Sequence, residues 1–201
     1  MVEEPTVGRT RRKGRADVVF ELKVTLKNIR PPIWRRFVVP PDIRLSDLHH
    51  VLQCVIGWYD GHLHQFVAKS ETRYGRCDED WDVDLDVLDE RRYRLADLVV
   101  GKGDRFVYEY DFGDGWEHLV ELVKIMPMVE GVSYPICLKG RRRCPPEDCG
   151  GPWGYMNLLS VLDDPKHPEH AELVDWAGDA IDPEAFDIGG VNDLLSEIQL
   201  V

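Results

Sequence analysis

The feature that most constrains the fold is a pair of aromatic and apolar segments, 106–112 and 116–122, joined through Gly113-Asp114-Gly115. Asp-Gly suits a two-residue type I′ turn, because both central residues of that turn adopt a positive φ. The segments therefore predict a β-hairpin in which Asp111 lies opposite His118, with Cβ atoms about 5 Å apart. This carboxylate would either fix one imidazole tautomer for metal binding or proton transfer, or form an ordinary polar pair beside the turn.

A loop rich in cysteine, proline and glycine follows the hairpin. Three of the five cysteines fall within thirteen residues, with the spacing C-x6-C-x4-C. A loop of this composition has no core of its own, so a bound metal would stabilise it most, and zinc is one interpretation of the three cysteines. The expected ligands are Cys137, Cys144, Cys149 and His118, with His62 and His64 as alternates. The alternatives are small buried thiols or, in an exported protein, a disulfide.

The remaining pattern places strands first and helices later. Residues 18–26 alternate apolar and polar side chains, as a half-buried strand does, and residues 33–39 predict a second strand. Apolar residues spaced by three and four from Leu48 to Ile56 predict a helix capped by Ser46 and Gly57. Further helices are predicted at 155–162, 169–177 and 191–198. This order predicts a single α+β domain with a mixed or antiparallel sheet, a central hairpin, one early helix and a helical C-terminal third.

Two groups of histidines lie close together in the sequence. His49 and His50 fall in the first turn of the early helix, where we expect them to face solvent without a ligand role. His62, His64 and Phe66 alternate along a predicted strand and so share one face. The two histidines on that face would bind a metal or form hydrogen bonds near the end of the sheet.

Charge is unevenly distributed along the chain. Residues 1–16 carry five bases against two acids, which predicts a flexible basic tail before a domain spanning 17–201. Residues 78–90 hold eight acids and no base. Their spacing lacks the glycine of an EF-hand loop, so we expect a solvated, mobile insertion rather than a calcium site.

The overall composition excludes several classes of protein. A formal net charge of −12 argues against a general nucleic-acid binder, which needs a basic surface. No apolar run approaches about 18 residues, so no membrane association is predicted, and no secretory signal is visible. With an odd count of five cysteines and no export signal, we expect reduced thiols and a cytoplasmic location.

Four segments together resemble a known family. They are 26–36 (LKNIRPPIWRR), 62–66 (HLHQF), 108–118 (YEYDFGDGWEH) and 144–155 (CPPEDCGGPWGY). With these segments the chain resembles the plasmid pRiA4b ORF-3-like proteins, some of which are labelled insertion-sequence passenger proteins of a TnpR type. The resemblance covers nearly the whole chain. It implies a compact α+β domain, an association with plasmids and mobile elements, and no established activity.

Two classes of function fit these features. The first is a binding or adaptor domain for an unidentified protein partner, stabilised by zinc, whose sheet and Pro-Pro-Glu-Asp loop present a recognition surface. The second is a metal-dependent hydrolase or nuclease in which arginines hold a phosphate. Its candidate catalytic residues are Asp111, Asp114, His118, Glu147 and Asp148, and its anion-binding candidates are Arg141, Arg142 and Arg143. A recombinase activity is excluded because no serine nucleophile lies within a cluster of arginines.

Overall fold

The computed structural model of the protein describes residues 17–77, 86–178 and 182–200. The strands are β1 (Val18–Leu26), β2 (Trp34–Val39), β3 (His64–Val67), β4 (Arg73–Gly75), β5 (Val87–Asp89), β6 (Arg105–Tyr110), β7 (Trp116–Pro127) and β8 (Ile136–Arg141). The helices are α1 (Leu45–Ile56), α2 (Leu95–Leu98), α3 (Gly151–Asp163), α4 (His170–Ala177) and α5 (Ile188–Glu197), with one 3-10 turn at Glu90–Arg92. The predicted α+β fold is confirmed, including the early helix and the helical C-terminal third. No helix within the described ranges combines the length and apolar character that crossing a bilayer demands.

The strands form one open sheet in the order β5-β4-β3-β6-β7-β1-β2-β8. In the described part of the chain β4 and β5 are the one parallel pair, so the sheet is mixed. Strand β1 precedes the other strands of the described residues but lies inside the sheet, between β7 and β2. Its predicted apolar face is confirmed, because Phe20, Leu22, Val24 and Leu26 are all buried in the core. The other face is not solvated along its whole length as predicted, because Val19 and Glu21 are buried as well.

Helix α1 buries the apolar stripe that its spacing predicts. Leu48, Val51, Leu52 and Val55 are fully buried and join side chains of β1, α3 and α5 in one core cluster. The helix ends at Gly57, whose φ of 94° is a left-handed conformation that favours glycine. The predicted start is wrong, because the N-cap is Arg44 and Ser46 lies inside the first turn.

Strands β6 and β7 form the predicted hairpin in a different register. His118 lies opposite Tyr108, and the last pair before the turn is Tyr110 with Trp116. The predicted pairing of Asp111 with His118 is therefore wrong. Because Tyr108 and Tyr110 face the core, His118 and Trp116 face it as well.

The register differs because the turn is longer than the Asp-Gly pair suggests. Residues 111–115 connect the strands, and Gly115 N donates to Asp111 O at 2.7 Å. Asp111 itself adopts a positive φ of 53°, and its Oδ1 accepts from Gly113 N at 3.0 Å and Asp114 N at 3.2 Å. The aspartate side chain thus stabilises a wider turn by bonding its own backbone.

The third strand also begins later than predicted. Because β3 starts at His64, His62 lies in the preceding loop and does not share a strand face with His64. His64 turns inward and is buried.

Part of the acidic stretch belongs to the sheet. Residues 78–85 lie outside the described residues, as does the basic tail 1–16. Val87–Asp89 pairs with β4, and Glu90 is 3% exposed. For these residues the prediction of a solvated, mobile insertion is wrong.

Candidate metal site at the hairpin turn

His62 lies between two carboxylates that come from different loops. Its Nδ1 is 3.7 Å from Asp111 Oδ2, and its Nε2 is 3.2 Å from Asp148 Oδ1. One ligand atom from each of the three residues lies within 4.8 Å of the others, a spacing that fits a single cation. The side chains of His62 and Asp148 are 29% and 73% exposed, so a cation there would keep positions open to solvent.

The turn conformation aims Asp111 at His62. Oδ1 of Asp111 is occupied by the backbone N–H groups of the turn. Oδ2 is the oxygen that faces the imidazole. The same local hydrogen bonds that widened the turn therefore orient one ligand atom of the site.

The Pro-Pro-Glu-Asp loop is attached to the turn by its own backbone. Gly150 N donates to Asp114 Oδ2 in the turn at 3.1 Å. A second bond, from Trp58 Nε1 to Pro145 O at 2.8 Å, joins the loop to the segment that follows α1. At Gly151, which has a φ of 67°, the Asp114 carbonyl occupies the space that a Cβ would need. Glycine at this position lets the loop approach the turn closely enough to bring Asp148 to His62.

Tyr110 connects the loop of His62 to the loop of Asp148. Its hydroxyl accepts from Gly61 N at 2.9 Å and His62 N at 3.3 Å, and it donates to Glu147 Oε1 at 2.5 Å. The same Glu147 oxygen accepts from Tyr59 N at 3.2 Å. Burial and the adjacent Glu147 carboxylate raise the pKa of Tyr110, so its hydroxyl stays protonated and remains a donor.

The structure separates the predicted catalytic residues into different places. Asp111 and Asp148 meet at His62, Asp114 holds the loop, and Glu147 lies beside Tyr110. His118 is fully buried inside the sheet and donates from Nδ1 to Tyr108 O at 3.0 Å. Of the predicted histidines, the alternate His62 is therefore the one that joins the carboxylates.

The three cysteines of the loop have separate surroundings. Cys137 Sγ is 3.6 Å from Arg36 O, and Cys144 Sγ accepts from Arg35 Nη2 at 3.2 Å. Burial raises the pKa of both thiols, and burial together with Asp114 raises that of Cys149 to about 12. Two groups of described side chains have the spacing of a cation site, one around His62 and one around His49, and neither contains a cysteine. Zinc held by these thiols stays a prediction.

The three arginines before Cys144 also differ in their surroundings. Arg142 is buried, with Nε 2.9 Å from Glu184 Oε1 and Nη1 donating to Pro31 O at 3.1 Å. Arg141 and Arg143 are exposed. Arg143 lines a cavity of about 540 Å³ together with the buried Arg35. An anion at this run stays a prediction.

A second polar cluster surrounds His49, which we expected from the sequence to face solvent. His49 is 2% exposed, so that prediction is wrong. Asp60 N donates to Gln53 Oε1 at 2.9 Å, so Gln53 Nε2 is the group that donates to the Tyr108 hydroxyl at 2.9 Å. The Tyr108 hydroxyl therefore donates to His49 Nδ1 at 2.7 Å, and His49 Nε2–H donates to Asp60 Oδ1 at 2.7 Å. Four residues thus close a ring of hydrogen bonds, in which Asp60 takes part through both its backbone N–H and its carboxylate.

This ring argues against a cation at the second grouping, His49, His50 and Asp60. A cation would need the Nε2 lone pair of His49, but that nitrogen carries the proton donated to Asp60. The His49 imidazole also stacks on His64 with centroids 3.5 Å apart, and His64 Nε2 is 2.8 Å from Glu90 Oε2. Burial and the adjacent His64 lower the pKa of His49 to about 3, so it is neutral near pH 7.

The sequence did contain a sign that His49 is buried. It follows Leu45 by four positions and precedes Leu52 and Ile56 by three and seven, so it belongs to the apolar face of α1. The contacts of His49 with Tyr108 and His64 could not be predicted in this way. Tyr108 and His64 lie on strands that are distant in the chain.

Similarity to known proteins extends along most of the chain. The family model described as plasmid pRiA4b ORF-3-like protein matches residues 18–189. The chain is 41% identical over 182 residues to the uncharacterized protein y4hQ of Sinorhizobium fredii (strain NBRC 101917 / NGR234), covering 90% of this chain and 92% of that protein. It is also similar to the crystal structure of the protein of unknown function MM3350 from Methanosarcina mazei Go1, with a TM-score of 0.77 and 41% identity. That similarity covers 86% of this chain and 96% of the other.

Proposed function

The chain belongs to the plasmid pRiA4b ORF-3-like family, and from the geometry of its own residues we propose that it is a ligand-binding domain built around one divalent cation. His62, Asp111 and Asp148 bind the cation, and the ligand reaches it at the positions they leave open. The observation that carries this proposal is the convergence of one imidazole and two carboxylates from three separate loops within 4.8 Å. An imidazole with two carboxylates suits Zn²⁺ or Mn²⁺.

Equilibrium dialysis against Zn²⁺ and Mn²⁺, followed by elemental analysis, tests the cation site. We expect one equivalent bound to the wild type and a loss of affinity of at least about ten-fold in His62→Gln, because one of three protein ligands is removed. His50→Gln is the matched control, since His50 is exposed and belongs to the grouping in which His49 Nε2–H donates to Asp60. Equal losses in both variants, or no binding to the wild type, would refute the proposal.

The same measurement separates this site from the zinc site predicted at the cysteine loop. A Cys144→Ser variant removes a thiol that belongs to neither cation grouping of the described residues. If zinc is lost from Cys144→Ser and retained by His62→Gln, the cysteines are the ligands and the site at the turn is not.

Metal-dependent hydrolysis is a second candidate function, and the placement of Glu147 favours it. Tyr110 and Tyr59 both bond to Oε1 of Glu147, while no described residue hydrogen-bonds to Oε2. A fixed carboxylate beside a cation could take a proton from a cation-bound water. The glutamate directly precedes the proposed ligand Asp148.

Assays of phosphodiester and ester hydrolysis with added Mn²⁺ test this second function. We expect Glu147→Gln to retain the cation and to lower any hydrolytic rate on the order of a hundred-fold, as loss of a general base does. An equal rate in wild type and variant would exclude Glu147 as the base. Cation binding without hydrolysis would leave the binding function alone.

A further inference from the structure

Arg35 of β2, which is 3% exposed, places a buried positive charge in the wall of the cavity of about 540 Å³ beside Arg143. Its guanidinium donates to Cys144 Sγ at 3.2 Å and to the backbone carbonyls of Val55, Trp34 and Arg141. These acceptors carry no charge near pH 7, because burial raises the pKa of the Cys144 thiol. In the part of the chain that the structure describes, no carboxylate pairs with Arg35. A buried charge without a counter-charge is unfavourable, so an anion that reached Arg35 through the cavity would be stabilised there.

The guanidinium of Arg35 is held in place and keeps one donor for such an anion. Of its five N–H groups, Nε uses one in these bonds, Nη1 uses two and Nη2 uses one. The second N–H of Nη2 is therefore left without an acceptor among the described residues. Phe186 lies against the guanidinium, with its ring centroid 4.1 Å from Cζ. Gly140 leaves room for this stack, because a Cβ there would lie 2.6 Å from Arg35 Cδ.

The rest of the cavity combines a small net charge with apolar walls. Arg143 is exposed and adds a second positive charge, and Asp187 adds a negative one. Two arginines against one aspartate leave the lining with a formal charge of +1. Its apolar side chains are those of Val55, Ile56, Ala185, Phe186, Val191 and Leu194. This lining suits a singly charged anion with an apolar body better than a strongly hydrated inorganic anion.

We propose that this cavity binds a small organic acid, a carboxylate attached to an apolar body. The carboxylate accepts from Arg35 Nη2 and pairs with Arg143, and the apolar body packs against the side chains of α1 and α5 that line the cavity. The volume falls within the range of about 300–1,000 Å³ that is usual for small-molecule sites. The cavity shares no residue with the proposed cation site, so this binding function stands apart from it.

Calorimetric titrations of the full chain with four probes, in a phosphate-free buffer, test the inference. Hexanoate carries both groups, hexan-1-ol carries the apolar body without the charge, and acetate carries the charge with almost no body. We expect hexanoate to bind at least about ten-fold more tightly than either, because each lacks one of the two interactions. Inorganic phosphate should bind more weakly than hexanoate. No binding of hexanoate, equal affinities for hexanoate and hexan-1-ol, or tighter binding of phosphate would overturn the inference.

Substitutions at exposed positions assign the ligand to the cavity without disturbing the buried Arg35. Arg143→Gln should lower the affinity for hexanoate several-fold, because it removes one of the two positive charges. Leu194→Trp should lower it as well, since Leu194 is 49% exposed and a larger side chain there would fill the cavity. Arg141→Gln is the matched control, because Arg141 is equally exposed in sequence terms but its side chain does not line the cavity. Unchanged affinity in Arg143→Gln or Leu194→Trp, or an equal loss in Arg141→Gln, would overturn the inference.

Discussion

His118 is held neutral inside the protein. Its Nδ1–H donates to Tyr108 O, and its ring meets the Trp58 ring edge-on with centroids 5.1 Å apart. Among the described residues, no group hydrogen-bonds to its Nε2. Burial lowers the pKa of His118 to about 4, because a charge there would lose its hydration.

Stability should therefore fall in mild acid. The unfolded chain binds a proton at His118 near pH 6.5, whereas the folded protein binds it only near pH 4. Between these values the unfolded state holds more protons, so the free energy of unfolding decreases as the pH drops, by up to about 1.4 kcal/mol per pH unit. His49, with a pKa of about 3, adds a loss of the same sign over a wider range.

Urea unfolding between pH 7 and pH 4.5 measures this effect. The His118→Gln variant lacks the titrating group, so its free energy of unfolding should fall less steeply with decreasing pH than that of the wild type. His50→Gln, which replaces an exposed histidine, should keep the wild-type slope. Identical slopes for all three proteins would mean that His118 is not neutral in the fold.

At the scale of elements, one hydroxyl joins two loops to the end of β6. Tyr110 bonds the loop before β3 through two backbone N–H groups and the loop before α3 through Glu147. Each loop carries one proposed cation ligand, His62 or Asp148. The hydroxyl thus sets the distance between His62 and Asp148, although it bonds to neither of their side chains.

Removing only that hydroxyl should weaken cation binding. Tyr110→Phe keeps the ring that stacks on Trp58 but loses three hydrogen bonds, so we expect about a ten-fold or greater loss of cation affinity. Tyr108→Phe is the matched control from the same strand. Its hydroxyl bonds His49 and Gln53, so its loss should cost about 1–3 kcal/mol of stability and leave cation affinity unchanged. Dialysis and urea unfolding of both variants measure the two quantities, and equal cation affinities would contradict the role of Tyr110.

At the scale of the whole molecule, patterns of local origin were predictable and contacts between distant segments were not. The apolar face of β1, the apolar stripe of α1 and the existence of the hairpin follow from neighbouring residues, and all three are confirmed. The register failed because Asp111 bonds its own turn, a competition that the Asp-Gly pair does not reveal. Asp111 and Asp148 were proposed together from the sequence. Their meeting at His62 depends on the tertiary packing of three loops, which spacing cannot supply.

The interior position of β1 has a consequence for the order of events during synthesis. Strands β1 and β2 are synthesised before the other strands of the described residues and can pair at once, because they are neighbours in the chain. The other edge of β1 then has no partner until β7 emerges, after β3 to β6 have been made. Contacts between such distant segments slow folding, and an unpaired apolar strand edge associates readily with other chains. The nascent chain thus exposes this unpaired strand edge before the hairpin that carries Asp111 of the proposed cation site has formed.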